Sequence, residues 1–227
     1  LAIIPAAGIG ERFDSSFPKQ YSILDGKSVI ELSVEPFLNS NLISKIIIPI
    51  SSNDEYIKKQ NFYGDSRVIF VEGGNSRSKS VLNALNHKEA AGFNFVITHD
   101  AARPRINEQD ISDIYNEIIK SNADCSIFTI PVVDSIKRVG EIGDITEDKA
   151  NFYLVQTPQI SKYAELKLSI QALTDKNITA PDESFAMESQ NYKISRIDGR
   201  SSNIKITHKE DLDLLRRFIT RTGTGFD

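Results

Sequence analysis

The strongest constraint on how this chain folds is a rhythm. Short apolar, β-branched runs at 1–4, 45–50, 67–71, 93–98 and 125–132 alternate with amphipathic stretches at 28–38, 78–85 and 107–119. Continuous apolar runs of this kind predict strands buried on both faces, and the stretches between them are long enough for right-handed crossovers. The chain therefore reads as α/β, with a doubly wound, mostly parallel sheet. In such sheets ligands gather beyond the carboxyl ends of the strands, so the segments after each run carry the functional reading.

A length of 227 residues suits one sizeable core, and 40% hydrophobic against 26% charged residues is the balance of a globular protein. A formal charge of -4 supplies no general basic surface, which argues against a nucleic-acid partner and favours a small anionic ligand in a local basic pocket. No apolar stretch approaches the roughly 18 residues of a membrane span, and no signal-type flank precedes the first run, so the expectation is a cytoplasmic protein. The chain opens at Leu1 without a methionine, as a piece trimmed from a longer reading frame would. The single cysteine, Cys125, lies in an apolar run and reads as a buried, inert thiol.

The rhythm breaks at 134–152, which is polar, carries charges of both signs and places Gly140 and Gly143 in an extended pattern. That region reads either as a projecting hairpin or as a solvated loop. After Thr157-Pro158-Gln159 the chain returns to helix at about 162–173 and 182–189. Short strands are expected near Lys193 and Ile204, with a closing helix from His208.

Three clusters stand where strands should end. The first, Pro5-Ala6-Ala7-Gly8-Ile9-Gly10-Glu11-Arg12, lets backbone N–H groups approach an anion closely. A dinucleotide fingerprint would need a third glycine where Phe13 stands, and a P-loop would end in Gly-Lys-Ser/Thr. Arg12, with Lys19 in Phe17-Pro18-Lys19-Gln20, adds two cations at one strand end, which suits a triphosphate. The second cluster, Gly73 to Ser80, has hydroxyl and amide groups able to read the edge of a base, or else a plain helix cap. The third, His99-Asp100-Ala101-Ala102-Arg103-Pro104, puts a carboxylate beside the cations, as a Mg2+ ligand or a turn cap. His99 reads as a packed strand-end residue, because no Ser or Cys nucleophile motif accompanies it.

In this order, with Gln156-Thr157-Pro158-Gln159 and Asn203-Ile204-Lys205-Ile206-Thr207 downstream, the clusters resemble the 2-C-methyl-D-erythritol 4-phosphate cytidylyltransferases of non-mevalonate isoprenoid biosynthesis. The resemblance spans 3–222 and implies a Rossmann-like nucleotidyltransferase fold with a projecting β-arm at about 134–152, a CTP substrate, Mg2+ and a homodimer. It implies CTP contacts at Ala6, Ala7, Gly8, Gly74, Asn75, Ser80, Asp100 and Ala101, with Asp100 also the metal ligand. Arg12, Lys19 and Lys205 would be catalytic, while Arg103, Ser135, Lys149 and Thr157 would meet the methylerythritol phosphate, Ser135 and Lys149 in the partner subunit's site.

Some positions depart from the family pattern. The family usually has Thr at the place of Ser135, Arg at that of Lys149, an acid at that of Ser202 and Thr at that of Pro181. Lys149 thereby loses bidentate phosphate geometry. The closing residues 221–227 resemble the opening of a cyclodiphosphate synthase domain that some bacteria fuse here, or else form a polar tail. Two other readings share the clusters: transfer to another alditol phosphate or a sugar 1-phosphate, and a nucleotide-binding regulator without turnover. Retention of Arg12, Lys19 and Asp100 together argues against the regulator.

Overall fold

The computed structural model of the chain describes residues 1–8, 13, 17–141 and 143–219. Its strands are β1 (Ala2–Ile3), β2 (Ile23–Leu24), β3 (Lys27–Ser28), β4 (Ile46–Ile50), β5 (Val68–Glu72), β6 (Phe95–Thr98), β7 (Cys125–Pro131), β8 (Ile136–Arg138), β9 (Ile145–Glu147), β10 (Tyr153–Lys162) and β11 (Ile194–Asp198). The helices are α1 (Val29–Asn39), α2 (Arg77–Asn86), α3 (Glu108–Ser121), α4 (Tyr163–Asp175), α5 (Glu183–Glu188) and α6 (Lys209–Ile219).

Among the described residues the main sheet runs β11-β7-β10-β6-β1-β4-β5. All its neighbours are parallel except β10, which lies antiparallel between β6 and β7. From β1 the chain steps outward through β4 to β5, then returns to place β6 on the other side of β1. The strand order reverses at β1, and a reversal of that kind opens a crevice at the carboxyl ends of the strands.

The buried strands are apolar on both faces because each face has its own helices. Ile46 and Ile48 pack with Ile30, Val34 and Phe37 of α1 and with Ile111 and Ile114 of α3. Ile47, between them, joins Ile3 and the opposite layer, where α2 offers Val81, Leu82 and Leu85 and α4 offers Leu166 and Ile170. This is the two-residue period of a strand read from a run with no polar alternation. A fully buried isoleucine such as Ile47 contributes about 1.5–3 kcal/mol, so the sheet centre is a rigid platform for the loops above it. Helix α1 starts at a capping box, with Ser28 and Glu31 satisfying each other's backbone N–H groups. Cys125 is fully buried, and burial pushes its thiol up to about 12, the inert state expected of it.

The structure departs from the sequence reading in two places. Residues 153–162 form a central strand where only a lead into helix was expected. Pro158 hides it, because a proline has no N–H for the ladder; here it falls in an irregularity between Gln156 and Gln159, where the pairing with β7 shifts register. The strand expected near Ile204 is absent, and 203–207 runs as irregular chain held by side-chain donors. The 134–152 region contains a two-stranded antiparallel ribbon, β8 with β9, that forms a separate sheet. Among the described residues no helix is long and apolar enough to cross a membrane.

Candidate active site

The turn after β1 is fixed from several sides. Ala6 N–H donates to Pro49 O at 2.8 Å, extending the pairing with β4 past the strand end. The carbonyls of Ala6 and Gly8 accept from Gln20 Nε2 at 2.7 and 3.3 Å. Gln20 stands on a single 3-10 turn, Lys19–Tyr21, whose own position is fixed by Tyr21. The Tyr21 hydroxyl donates to Asp54 Oδ2 at 2.6 Å, and its ring stacks on Tyr56 at 5.2 Å. Burial first, and then the Asp54 carboxylate, raise the Tyr21 pKa, so the phenol keeps its proton and its bond.

The segment after β5 closes onto that turn. A Cβ at Gly73 would lie 2.3 Å from Ala7 Cβ, and one at Gly74 would lie 2.3 Å from Lys79 Cγ. Glycine is needed here for close approach, since neither position has a left-handed backbone. Ser80 Oγ accepts from Gly74 N–H at 3.0 Å and donates to Ser76 O at 2.9 Å, while Ser76 Oγ caps α2.

After β6 comes a carboxylate wrapped in cations. Asp100 Oδ1 accepts from Arg77 Nε at 2.9 Å; Oδ2 meets Lys205 Nζ at 2.9 Å and Arg103 Nε at 3.4 Å. Burial works against its charge, but Arg77, Lys205 and Arg103 outweigh it and hold the carboxyl well below the usual range. Arg77 in turn grips Glu183 with both terminal nitrogens, at 2.7 and 3.1 Å, and Glu183 is fully buried at the start of α5. Among the described residues no three His, Cys, Asp or Glu side chains converge to hold a metal unaided. A single ionised carboxylate sharing a cavity with the 5–8 turn fits Mg2+, which is commonly held by one or two carboxylates together with substrate phosphates and water. Lys205, whose side chain is 40% exposed, is the cation with room to yield Oδ2 to it.

These segments enclose a cavity of about 540 Å3, a volume suited to a small-molecule ligand. Of the residues expected from sequence, Ala6, Ala7, Gly8, Lys19, Gly74, Asn75, Ser80, Asp100, Ala101 and Lys205 line it. Arg103 and Thr157 sit behind it. Arg103 donates to Asn203 O at 2.7 Å as well as to Asp100, and Thr157 Oγ1 accepts from Asp100 N–H at 3.1 Å. His99 is buried beside Thr157, and burial lowers its pKa to about 4, consistent with a packed, neutral ring. Ser135, just before β8, and Lys149, just after β9, are both exposed at the same open end of the antiparallel β8–β9 ribbon and do not line this cavity. Arg12 and residues 220–227 lie outside the described residues.

Three residues that the sequence reading passed over belong to the site. Gln20 and Arg77 line the cavity, and each had a signal, since both fall inside motifs quoted for their neighbours. Glu183 falls in Pro181-Asp182-Glu183-Ser184-Phe185, a run that the family resemblance also reaches, but only the fold brings α5 against the start of α2.

Comparison with known proteins covers the same segments. A family model described as 2-C-methyl-D-erythritol 4-phosphate cytidylyltransferase matches residues 1–221. A protein of that name from Haemophilus ducreyi is 38% identical over 220 residues, covering 96% of this chain and 95% of the relative. Another from Aliivibrio fischeri is 36% identical over 223 residues, covering 97% and 93%. The crystal structure of 4-diphosphocytidyl-2C-methyl-D-erythritol synthase from Anaerococcus prevotii superposes with a TM-score of 0.84 at 26% identity, covering 97% of this chain and 95% of that one. The match runs through every segment that lines the cavity, and the chain therefore belongs to the 2-C-methyl-D-erythritol 4-phosphate cytidylyltransferase family.

Proposed function

We propose that this chain transfers the cytidylyl group of CTP to 2-C-methyl-D-erythritol 4-phosphate, giving 4-diphosphocytidyl-2-C-methyl-D-erythritol and pyrophosphate in isoprenoid biosynthesis. The observation that carries the reading is the family match over 1–221, laid on a single cavity that gathers the 5–8 turn, Lys19, Asp100 and Lys205.

The acceptor's phosphate has a second pKa of about 6 and is largely dianionic at neutral pH. One of its oxygens attacks the α-phosphorus of CTP. That bond forms as the bond from the α-phosphorus to the bridging oxygen breaks, and pyrophosphate leaves with the electron pair. Neither a protein nucleophile nor a protein base is needed, so the buried, neutral His99 has no proton to move. The obstacle is charge, because two anions must meet while a third forms, and preorganised cations lower that barrier most.

Lys19 and Arg12 take the triphosphate, and Lys205, backed by Arg103, takes the acceptor's phosphate. The backbone of Ala6, Ala7 and Gly8 faces the phosphates, Gly74, Asn75 and Ser80 face the cytosine and ribose, and Ala101 faces the ribose. Mg2+ on Asp100 would supply further charge neutralisation at the phosphates.

The β8–β9 ribbon is the homodimer contact in this reading. Large apolar side chains stand exposed on and around it: Val133, Val139, Ile145, Phe152, Tyr153 and Leu154. Apolar surface concentrated in this way marks an interaction site. Paired with a second copy, it would carry Ser135 and Lys149 to the partner's cavity.

A pyrophosphate-release assay with CTP, Mg2+ and 2-C-methyl-D-erythritol 4-phosphate tests the reaction. Release that needs all three is expected. No release with this acceptor, or faster release with a sugar 1-phosphate, would overturn the assignment.

A further inference from the structure

We propose that Gln20 is a positioning residue that sets the direction of the phosphate turn, and so governs affinity for the nucleotide without touching the acceptor. The inference rests on the CTP reading above. Its geometry lies in three consecutive residues of the 3-10 turn Lys19–Tyr21. Lys19 Nζ donates to Ile206 O at 2.7 Å, Tyr21 is tied to Asp54 at 2.6 Å, and Gln20, between two anchored neighbours, reaches the carbonyls of Ala6 and Gly8.

Only the NH2 of a glutamine can face two carbonyl oxygens, so the chemistry itself fixes which way the amide points. With 4% of its surface exposed, the side chain has little room to turn elsewhere. In a trans peptide the C=O and N–H point in opposite directions. Tying the Ala6 carbonyl to Gln20 therefore aims the Ala7 N–H away from that amide, free for an anion. The Ala6 N–H is already spent on Pro49, and Ala7 Cβ is fixed against Gly73, so the carbonyl of Ala6 is the remaining handle on this peptide plane. Glutamine provides two donors at the right reach without adding charge. A glutamate would set its lone pairs against two carbonyls, and a methionine would keep the shape while losing both bonds.

The experiment compares the wild type with Gln20→Met and Gln20→Glu in the full chain, reading pyrophosphate release and calorimetric CTP binding. Gln20→Met should weaken CTP binding about ten- to a hundredfold, the range of a charge-assisted hydrogen bond, and leave the acceptor KM within about twofold. Gln20→Glu should be impaired at pH 8. Its kcat/KM for CTP, as a fraction of the wild-type value at each pH, should recover toward pH 6 as the protonated carboxyl regains one donor. Unchanged CTP affinity in Gln20→Met, or a Gln20→Glu fraction that stays flat with pH, removes Gln20 from this role. Should Gln20→Met fail to fold, the pH trend of Gln20→Glu decides alone. Wild-type protein that binds CTP without releasing pyrophosphate would sink the proposed reaction, while the binding comparison would still judge Gln20.

Discussion

The two banks of the cavity are built from different materials. The bank formed by the turns after β1 and β5 is backbone: small residues, two glycines with no room for a Cβ, and carbonyls held by Gln20. The bank formed beyond β6 and by 199–207 is long side chains. There Arg103 and Lys205 converge on Asp100, joined by Arg77 reaching across from the start of α2, and the segment bearing Lys205 hangs from Gln156, Arg103 and Asn203. A backbone wall leaves little freedom and favours one ligand shape. A wall of charged side chains can rearrange as charge moves, which suits the bank where the proposed reaction changes partners. Lys19 spans both, since it lines the cavity beside the first bank and donates to Ile206 O in the second.

The substitution with the largest expected effect tests that span. Lys19→Ala should lower turnover on the order of a hundredfold or more, by analogy with loss of one preorganised charge-stabilising donor. It should also raise the KM of both substrates in the pyrophosphate assay; a change confined to CTP would cut Lys19 from the second bank. Gly73→Ala attacks the backbone bank alone, because its new Cβ meets Ala7 Cβ at 2.3 Å. Overpacking of this kind costs about 1–3 kcal/mol. The loss should appear in CTP binding, and Ala7→Gly should restore part of it in the double variant. Absence of that rescue would mean the two loops do not press on each other. Asn203→Ala is the smallest and mirrors it on the other side. Losing the bond from Asn203 Nδ2 to Thr157 O, 2.8 Å, should cost about 1 kcal/mol, read as about a fivefold rise in acceptor KM with CTP binding unchanged. Equal effects of Gly73→Ala and Asn203→Ala on both substrates would erase the distinction between the banks.

The same contrast explains what could be read from the sequence. Strand periodicity placed β4, β5, β6 and β7 to within a few residues, because buried parallel strands leave apolar runs that nothing else in the chain imitates. The backbone bank was legible for a related reason. Close approach demands glycine and alanine at fixed spacing, so Ala6 to Gly8 and Gly73 to Ser80 stood out as motifs. Of the charged bank, Asp100 stood out from the residues themselves, while Arg103 and Lys205 were legible only through family resemblance. Nothing local marks Glu183 as the partner of Arg77, 106 residues away, and nothing in Asn203-Ile204-Lys205 reveals that side chains rather than a sheet hold it. Strand β10 was lost to a local rule that usually holds, since Pro158 argues against a central strand unless the ladder is already interrupted there.

The bond from Lys19 Nζ to Ile206 O joins residues 187 positions apart. At ordinary synthesis speeds of roughly 5–20 residues per second, the ribosome needs roughly 10–40 s to make the second partner after the first has emerged. The central strand is born early, while the segment that finishes its pocket is among the last described pieces to arrive. A nascent chain halted before 203–207 could pack much of its apolar interior and still lack Lys205 and the anchor for Lys19. Competence to act is in this sense postponed until 203–207 have been made, and chains halted before that point stay idle however well their early strands have set.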